Sequence, residues 1–343
     1  MFIFHSFRLL LGVAFEVELQ ANDANPEPGT ATLFSRAPCN DGFIASPLTP
    51  LGGDRYEVAF PRCTECPSRV EYYLRITGDD GVDYFSPPDA PAVVHRGVLA
   101  TSVGTVFADD AEEDRGWSVE DSPGLIDGTW ERAVPAGDGT RGDPPMDADL
   151  SGSCFVTDNA PGNSDVDVGF TTLISPRFDT TGGIAFVSYA RWFSNSAGGF
   201  PFEDVMRIEV SSNDGETWAQ LEVVGPDGPE VSGGWFFRTL TLDGVIEPSA
   251  QTRIRFTAED TGNGSIVEAG VDALSVRVFR CEAPPCDPDW NGDGVLNPAD
   301  IGAFLTDYGI DLLEGTLVTD LDGNGVVNPA DVGRFLSIYF AGC

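Results

Sequence analysis

Two stretches near the C terminus decide the fold of that part of the chain: residues 289–305, DWNGDGVLNPADIGAFL, and residues 320–336, DLDGNGVVNPADVGRFL. Their first residues, Asp289 and Asp320, lie 31 positions apart (320 − 289), and both copies share an Asn-Pro-Ala-Asp-apolar-Gly core. Self-similarity at a fixed spacing is the signature of a duplicated supersecondary unit. The sequence therefore predicts a duplicated module that follows the CEAPPC segment at 281–286.

Each copy carries oxygen-bearing residues at the alternating positions of a twelve-residue calcium loop. Gly294 and Gly325 occupy the sixth position, where the chain turns sharply through a backbone conformation that favours glycine. Each loop has three carboxylates, enough to offset a divalent ion. The predicted ligands are Asp289, Asn291, Asp293, the Val295 carbonyl, Asn297 (through water) and Asp300 in the first loop, and Asp320, Asp322, Asn324, the Val326 carbonyl, Asn328 and Asp331 in the second.

A helix is predicted after each loop. Asn297 and Asn328 are suited to cap it, and the prolines that follow them are suited to the first helical position. Apolar residues then recur at helical spacing, so that the two helices can bury these faces against each other. These residues are Ile301, Phe304, Leu305 and Tyr308 in the first copy and Val332, Phe335, Leu336 and Tyr339 in the second.

This loop-then-helix duplication, with Asp at the twelfth position, resembles a type I dockerin domain, which is a pair of EF-hand-like loops. The resemblance implies calcium-dependent folding and docking to a cohesin-like partner in an extracellular assembly. In that family the tenth and eleventh loop positions contact the partner. Here they are Pro298–Ala299 and Pro329–Ala330 instead of a hydroxyl pair, which leaves the partner open. The alternative is a calcium-stapled terminal module without a cohesin. Because dockerin ends lie close together, the resemblance also implies a disulfide between Cys286 and Cys343.

The rest of the chain has strand-like character. Between residues 13 and 98 apolar residues alternate with polar ones, as at Val13, Phe15, Val17 and Leu19, and turn-prone segments separate the runs. This pattern predicts a small immunoglobulin- or fibronectin-like β-sandwich, closed by PPDAP at 87–91 as a stiff linker. Residues 104–280 hold further strand candidates, which predict a jelly-roll sandwich. The fold class is mostly β: two sandwiches, Ig-like and then jelly roll, followed by a small α-helical module at 287–343.

The middle region also resembles the MAM-like or concanavalin-like jelly rolls attached to secreted bacterial hydrolases and peptidases, in segments such as VSYARWFSN and GSIVEAGVDALSV. The resemblance implies a non-catalytic accessory domain for adhesion, carbohydrate contact or structural support. Acidic residues near the first and last strands of such sandwiches can share a structural calcium. The candidates are Asp110, Glu112, Asp167 and Asp272.

Aromatic and turn motifs refine this picture. SSNDGETW, residues 211–218, fits the Asp-box hairpin, in which Asn213 bonds turn amides while Trp218 packs beneath. Trp117, Trp130, Trp192 and Trp235 could form a sugar platform, although core positions are expected for three of the four.

Charge and cysteine content restrict the partners and the compartment. The chain has 55 acidic residues against 19 basic ones, all Arg, and a net charge of −36, which disfavours nucleic acid and insertion into or binding to anionic membranes. Seven cysteines in a strand-rich chain indicate an oxidised, extracellular or cell-surface location. Residues 1–12 read as a leader or as a truncated start.

No metallopeptidase, nucleophile-elbow or phosphate-loop motif occurs. The sequence thus predicts a secreted, non-catalytic calcium-binding protein for anchoring and for adhesion or carbohydrate contact, or the accessory part of a polysaccharide- or peptide-degrading hydrolase. Two alternatives remain: a glycoside hydrolase that uses carboxylates of the jelly roll, and a purely structural surface protein.

Overall fold

The computed structural model describes residues 15–18, 25–38, 42–52, 55–58, 60, 67–160, 165–281, 288, 290–291, 295–314, 316–321 and 326–341. The chain divides into two compact units, Met1–Cys281 and Glu282–Cys343. The first unit contains all the described strands, and the second contains the two described helices.

The first part of the larger unit is a small antiparallel sandwich. Its strands are β1 (Phe15–Glu18), β2 (Thr32–Arg36), β3 (Ile44–Pro47), β4 (Thr49–Gly52), β5 (Arg55–Val58), β6 (Ser68–Thr77), β7 (Asp83–Ser86) and β8 (His95–Leu99). One sheet has the order β1-β5-β4, and the other has the order β3-β2-β6-β7 with β8 also paired to β6. Val17, Leu33, Val58 and Leu74 lie in the core between them, as the period-two pattern requires. Val13 and Leu19 lie outside the described residues.

PPDAP does not close the first sandwich, contrary to the sequence-based expectation. β8 follows it and returns to pair with β6, with Glu71 opposite Arg96 and Tyr72 opposite His95. Prolines cannot donate to a ladder, so the segment breaks β7 from β8 without ending the sheet.

The second part of the larger unit is a two-sheet sandwich. Its strands are β9 (Ser102–Asp109), β10 (Ser118–Asp121), β11 (Trp130–Ala133), β12 (Cys154–Thr157), β13 (Gly169–Ile174), β14 (Gly183–Gly198), β15 (Met206–Ser211), β16 (Ala219–Val224), β17 (Phe236–Thr241), β18 (Arg253–Asp260) and β19 (Ser265–Arg280). A five-stranded sheet has the order β10-β13-β18-β15-β16, and a six-stranded sheet has β11-β12-β19-β14-β17 with β9 on β19. Successive strands cross repeatedly between the sheets, as in a jelly roll.

Alternation along the long strands fills the core of this sandwich. Val267, Ala269 and Val271 of β19 point inward, while the residues between them, Glu268 and Gly270, face the outer side of the six-stranded sheet. The outer face thus carries polar and aromatic residues.

The Asp-box prediction is confirmed at the hairpin between β15 and β16. Asn213 Oδ1 accepts the Thr217 amide at 3.0 Å, and Ser211 Oγ accepts the Gly215 amide at 2.9 Å. Gly215 has φ of +91°, which the turn requires. The hairpin is structural, because its polar side chains bond their own turn.

The second unit contains α1 (Pro298–Glu314) and α2 (Pro329–Ala341). Both begin at the proline that the sequence predicts. None of the helices in the described part of the chain is long and apolar enough to cross a membrane.

Candidate functional site

The twelfth loop positions are the best-placed of the predicted calcium ligands. Asp300 and Asp331 are fully buried, each in the first turn of its helix. Asp300 accepts the Asn291 amide at 3.3 Å and the Asn297 amide at 2.8 Å. Asp331 accepts the Leu321 amide at 3.0 Å and the Asn328 amide at 2.9 Å. Both carboxylates therefore point back into their own loops, where a calcium ligand belongs.

The ninth-position asparagines cap the helices. Asn297 Oδ1 accepts the Ala299 amide at 2.8 Å, and its Nδ2 donates to the Val295 carbonyl at 2.8 Å. In the second copy Asn328 makes the same two bonds, to the Ala330 amide and the Val326 carbonyl, at 2.9 Å each. Each asparagine therefore orders both the helix start and the carbonyl predicted as a calcium ligand.

The other predicted ligands fall into two groups, those that the structure describes and those that lie outside the described residues. Asn291 and Asp320 are described, whereas Asp289, Asp293, Asp322 and Asn324, with Gly294 and Gly325, lie outside the described residues. The donor set that is described consists of hard oxygens, as calcium requires. Calcium in these loops stays a prediction.

The two repeats pack through equivalent residues. Phe304 and Phe335, again 31 positions apart (335 − 304), stack with ring centroids 4.2 Å apart and an interplanar angle of 1°. The Trp290 ring meets both at their edges, and its Nε1 donates to Asp307 at 2.8 Å. The tenth and eleventh loop positions, at Pro298–Ala299 and Pro329–Ala330, are exposed at the helix starts.

A second acidic centre lies in the larger sandwich. Carboxylate oxygens of Asp147, Asp149 and Asp272 lie within 4.8 Å of one another, and Asp147 and Asp272 are buried. Asp272 accepts the Ala148 amide at 2.8 Å, and Asp147 accepts the Gly152 amide at 2.9 Å. Burial, then the charges of Asp149 and Asp147, raises the pKa of Asp272 to about 6. Three converging carboxylates suit a divalent ion that takes oxygen ligands.

Of the four sequence candidates for a structural calcium in this sandwich, only Asp272 belongs to that centre. Glu112 lies beside it and accepts the Ser153 amide, while the Asp110 carbonyl accepts from Ser151 Oγ at 3.4 Å. Asp167 lies elsewhere, bridged to Asp127. Sequence reasoning missed Asp147 and Asp149, because they come from the long β11–β12 loop, far along the chain from β19.

Glu268 is a buried acid that sequence reasoning also missed. Its side chain is 1% exposed, and Thr157 Oγ1 donates to its Oε2 at 3.4 Å. Its Oε1 has no hydrogen-bond partner in the described part of the chain. Burial, then the charges of Asp143 and Asp165, raises the pKa of Glu268 to about 9, so the folded protein keeps this group neutral.

Two of the four tryptophans lie in or against the core, whereas the sequence predicts three. Trp130 is buried, and Trp117 packs on the same core and donates to Asp109 at 2.6 Å. Trp192 and Trp235 instead lie partly exposed on the outer face of the six-stranded sheet, with ring centroids 5.7 Å apart. Each indole N–H is fixed by the β11–β12 loop, to the Gly142 carbonyl at 2.6 Å and the Met146 carbonyl at 2.8 Å.

The neighbouring strand extends this aromatic surface. Phe237 of β17 shares the face of Ala190 and Asp272, by strand register, and is 63% exposed. Trp192, Trp235 and Phe237 together form what we call the aromatic surface. Such amphipathic faces suit stacking against sugar rings.

Two side chains that could act as nucleophiles, Ser86 and Cys154, are buried. Ser86 Oγ lies 3.0 Å from His95 Nε2, but Ser86 is only 5% exposed and out of reach of a substrate. Cys154 is a buried free thiol whose pKa is raised by burial and by the adjacent acidic centre, which makes it unreactive. Cys281 is disulfide-bonded. Cys286 and Cys343 lie outside the described residues, so their pairing stays a prediction.

No protein-family model matches the sequence, and no curated protein matches it. Among solved structures, the K1 cleaved adhesin domain of Lys-gingipain from Porphyromonas gingivalis is 15% identical, covers 52% of this chain and all of its own, and has a TM-score of 0.34. A carbohydrate-binding module of the β-sandwich superfamily is 14% identical over 80% of this chain and 96% of its own, with a TM-score of 0.35.

A family 11 carbohydrate-binding module from Clostridium thermocellum, bound to a β-1,3-1,4-mixed-linked tetrasaccharide, is 14% identical, covers 53% of this chain and all but 1% of its own length, and has a TM-score of 0.32. Similarities at these TM-scores carry no argument about this chain.

Proposed function

We propose that this chain is a secreted, non-catalytic protein that binds calcium, docks through its C-terminal repeats and contacts polysaccharide through its larger sandwich. The observation that carries the proposal is the duplicated geometry at Asp300 and Asp331. Both are fully buried carboxylates, and each accepts two main-chain amides of its own loop at a capped helix start. A fully buried carboxylate that recurs at the twelfth position of both copies and accepts the amide of the capping asparagine is hard to explain by general acidic solvation.

The donor chemistry favours calcium over other ions. Its ligands would be carboxylates, amide oxygens and carbonyls, which are hard oxygen donors without imidazole or thiolate. A bound ion would supply positive charge to each loop and compensate the carboxylates predicted as its ligands. The centre at Asp147, Asp149 and Asp272 has the same chemistry, and we assign it a third, structural calcium.

Calcium uptake by the full chain, measured by isothermal titration calorimetry, tests this assignment. We expect about three ions per chain, about one after Asp300→Ala with Asp331→Ala, and about two after Asp272→Ala. Glu247→Ala, at an exposed acid of the larger sandwich, is the matched control and should leave uptake unchanged. Unchanged stoichiometry in the double variant, or no uptake at all, would reject the loops as calcium sites.

The exposed helix starts support docking to a cohesin-like partner. Pro298, Ala299, Pro329 and Ala330 are exposed, and apolar side chains farther along the helices are also uncovered, with Leu313 88% and Phe340 76% exposed. An immobilised cohesin domain should retain the full chain in calcium and release it in chelator. Failure to bind any cohesin would leave a calcium-stapled module without that partner.

Polysaccharide contact is assigned to the aromatic surface. The exposed Phe237 and the loop-anchored indoles of Trp192 and Trp235 give a rigid apolar face, which costs little conformational entropy on binding. Affinity electrophoresis in soluble β-glucan and xylan should show retardation that Trp235→Ala reduces. Trp218→Ala, on the opposite sheet beneath Arg255, is the control. Release of reducing sugar by the full chain would instead favour the glycoside hydrolase alternative.

A further inference from the structure

A second ligand surface lies where the two sandwiches of the larger unit meet. It is a groove of about 690 Å³ between strands β6 and β8 of the first sandwich and strands β14 and β17 of the second. This volume falls within the range of small-ligand sites, about 300–1,000 Å³. The lining residues that matter for a ligand are Arg36, Arg69, Glu71, Arg96, Val98 and Phe186.

The charge of this groove is opposite to that of the chain. Three of its lining residues are Arg and one is acidic, whereas the whole chain has 55 acids and 19 arginines. Arg36 and Arg96 share Glu71, with Arg96 Nε 3.3 Å from Glu71 Oε1. Arg69 pairs with Asp243 at 2.6 Å. Three guanidinium groups thus face two carboxylates, which leaves one positive charge in excess.

The arginines remain accessible to a ligand. The side chains of Arg36 and Arg69 are about half exposed, and that of Arg96 is 81% exposed. A guanidinium has five N–H donors, so the pairs with Glu71 and Asp243 leave donors for another acceptor. The planar donor fork matches a carboxylate in two-point geometry.

The remaining wall of the groove is apolar. Val98 and Phe186 face it from opposite sandwiches, and Ala37 and Pro38 extend it at one end. A ligand that fits would carry a carboxylate on a small ring with one apolar face. A long polyanion fits poorly, because the net charge of −36 repels it at a distance.

We propose that this groove binds a single uronic acid residue carried by an otherwise neutral polysaccharide, with its carboxylate on Arg96 and Arg36 and its ring against Phe186 and Val98. The ligand class rests on the proposed polysaccharide contact, but the site is separate from the aromatic surface. It assigns the junction between the two sandwiches a role in selecting charged sugars.

Calorimetry on the full chain with a xylotetraose that carries one glucuronic acid residue, and with the methyl ester of that acid, tests the proposal, since the two ligands differ by one charge. We expect the acid to bind about tenfold more tightly than the ester, which is the scale of one charge-assisted contact. Arg96→Ala should remove this preference while leaving the ester unaffected. Its exposure makes unfolding of the variant improbable, and a thermal melt checks that.

Arg207→Ala is the matched control, because Arg207 pairs with Glu259 at 3.0 Å on the outer face of the other sheet. Equal affinity for acid and ester, or an Arg96→Ala variant that keeps the preference, would overturn the inference. A short peptide with one glutamate that binds as tightly as the glucuronic acid ligand would overturn the sugar class. If Trp235→Ala loses binding to neutral glucan, that result concerns the aromatic surface of the proposed function. It does not affect the inference about this groove.

Discussion

At the scale of single residues, the surroundings of a buried carboxyl group favour either its charged form or its neutral form. Asp331 accepts two main-chain amides, and such bonds favour the charged form. Glu268 has one weak contact from Thr157 and two acidic neighbours, so its neutral form is favoured. The hydrogen-bond donors and charges around a buried carboxyl group thus decide which of its two forms is favoured.

Glu268→Gln tests this difference through the pH dependence of stability. The pKa of Glu268 is raised from 4.5 to about 9, so the folded chain keeps a proton that the unfolded chain loses. Stability from this group is complete below pH 4.5 and is lost as the pH rises toward 9. The free energy of unfolding of Glu268→Gln should therefore rise relative to that of the parent by about 1.4 kcal/mol for each pH unit between pH 4.5 and 9. Urea unfolding at several pH values measures it.

Glu247→Gln serves as the control for this experiment, because Glu247 is exposed. Its difference from the parent in unfolding free energy should stay the same at every pH. If the Glu268→Gln difference is likewise constant between pH 5 and 9, Glu268 is ionised in the folded protein and the argument from burial is wrong.

At the residue level, the sequence predicted the helix starts at Pro298 and Pro329 but not the acidic centre at Asp147 and Asp149. Asn297 and Pro298 act on their own neighbours, so a cap followed by a helix start can be recognised locally. Asp147 and Asp272 are brought together only by the pairing of β12 with β19 and by the course of the loop above them. Period and spacing contain no information on such non-local contacts.

At the scale of elements, the two helices of the repeat unit depend on each other. Phe304 and Phe335 are almost completely buried and stack face to face, so each forms most of the other's apolar environment. Asp311 adds a polar link: it accepts the Thr319 amide at 2.6 Å, ahead of the second loop. Although burial opposes it, bonding to Thr316 and Thr319 lowers the pKa of Asp311 to about 2.

Phe335→Ala should destabilise both helices together. Truncation of a buried phenylalanine costs about 3–5 kcal/mol because it removes apolar contacts and leaves a cavity. Hydrogen exchange read by mass spectrometry in the full chain should show faster exchange in both α1 and α2. Phe340→Ala, in the same helix but 76% exposed, should cost less than about 0.5 kcal/mol. Faster exchange confined to α2 would show that the repeats fold independently.

The strands illustrate what element-scale patterns can and cannot predict. The sequence predicts strands between residues 104 and 280, and β14 is one of those that the structure contains. The return of β8 to β6 after PPDAP was not recognisable, because proline punctuation looks the same within a domain and between domains. Two-sheet topology follows from which strands pair, and that is decided by tertiary packing.

At the scale of the whole molecule, the net charge of −36 dominates. Like charges in a compact chain repel one another, and unfolding relieves this by increasing their separation. The arginines reduce the repulsion locally, as where Asp214 lies between Arg177 and Arg253. The chain has almost three acids for each arginine, so the arginines cannot neutralise most of the acidic charge.

Monovalent salt should therefore stabilise the chain even without calcium. In chelator, raising NaCl from about 0.01 to 1 M shortens the screening length from about 30 to 3 Å, which removes most of the repulsion between exposed acids. We expect the first thermal transition to rise by at least about 2–4 °C, equivalent to about 1 kcal/mol. Sucrose is excluded from the protein surface but does not screen charge. A melt in sucrose is therefore the control that separates charge screening from solvent exclusion. A transition that stays constant or falls as NaCl rises would mean that repulsion is not what limits stability.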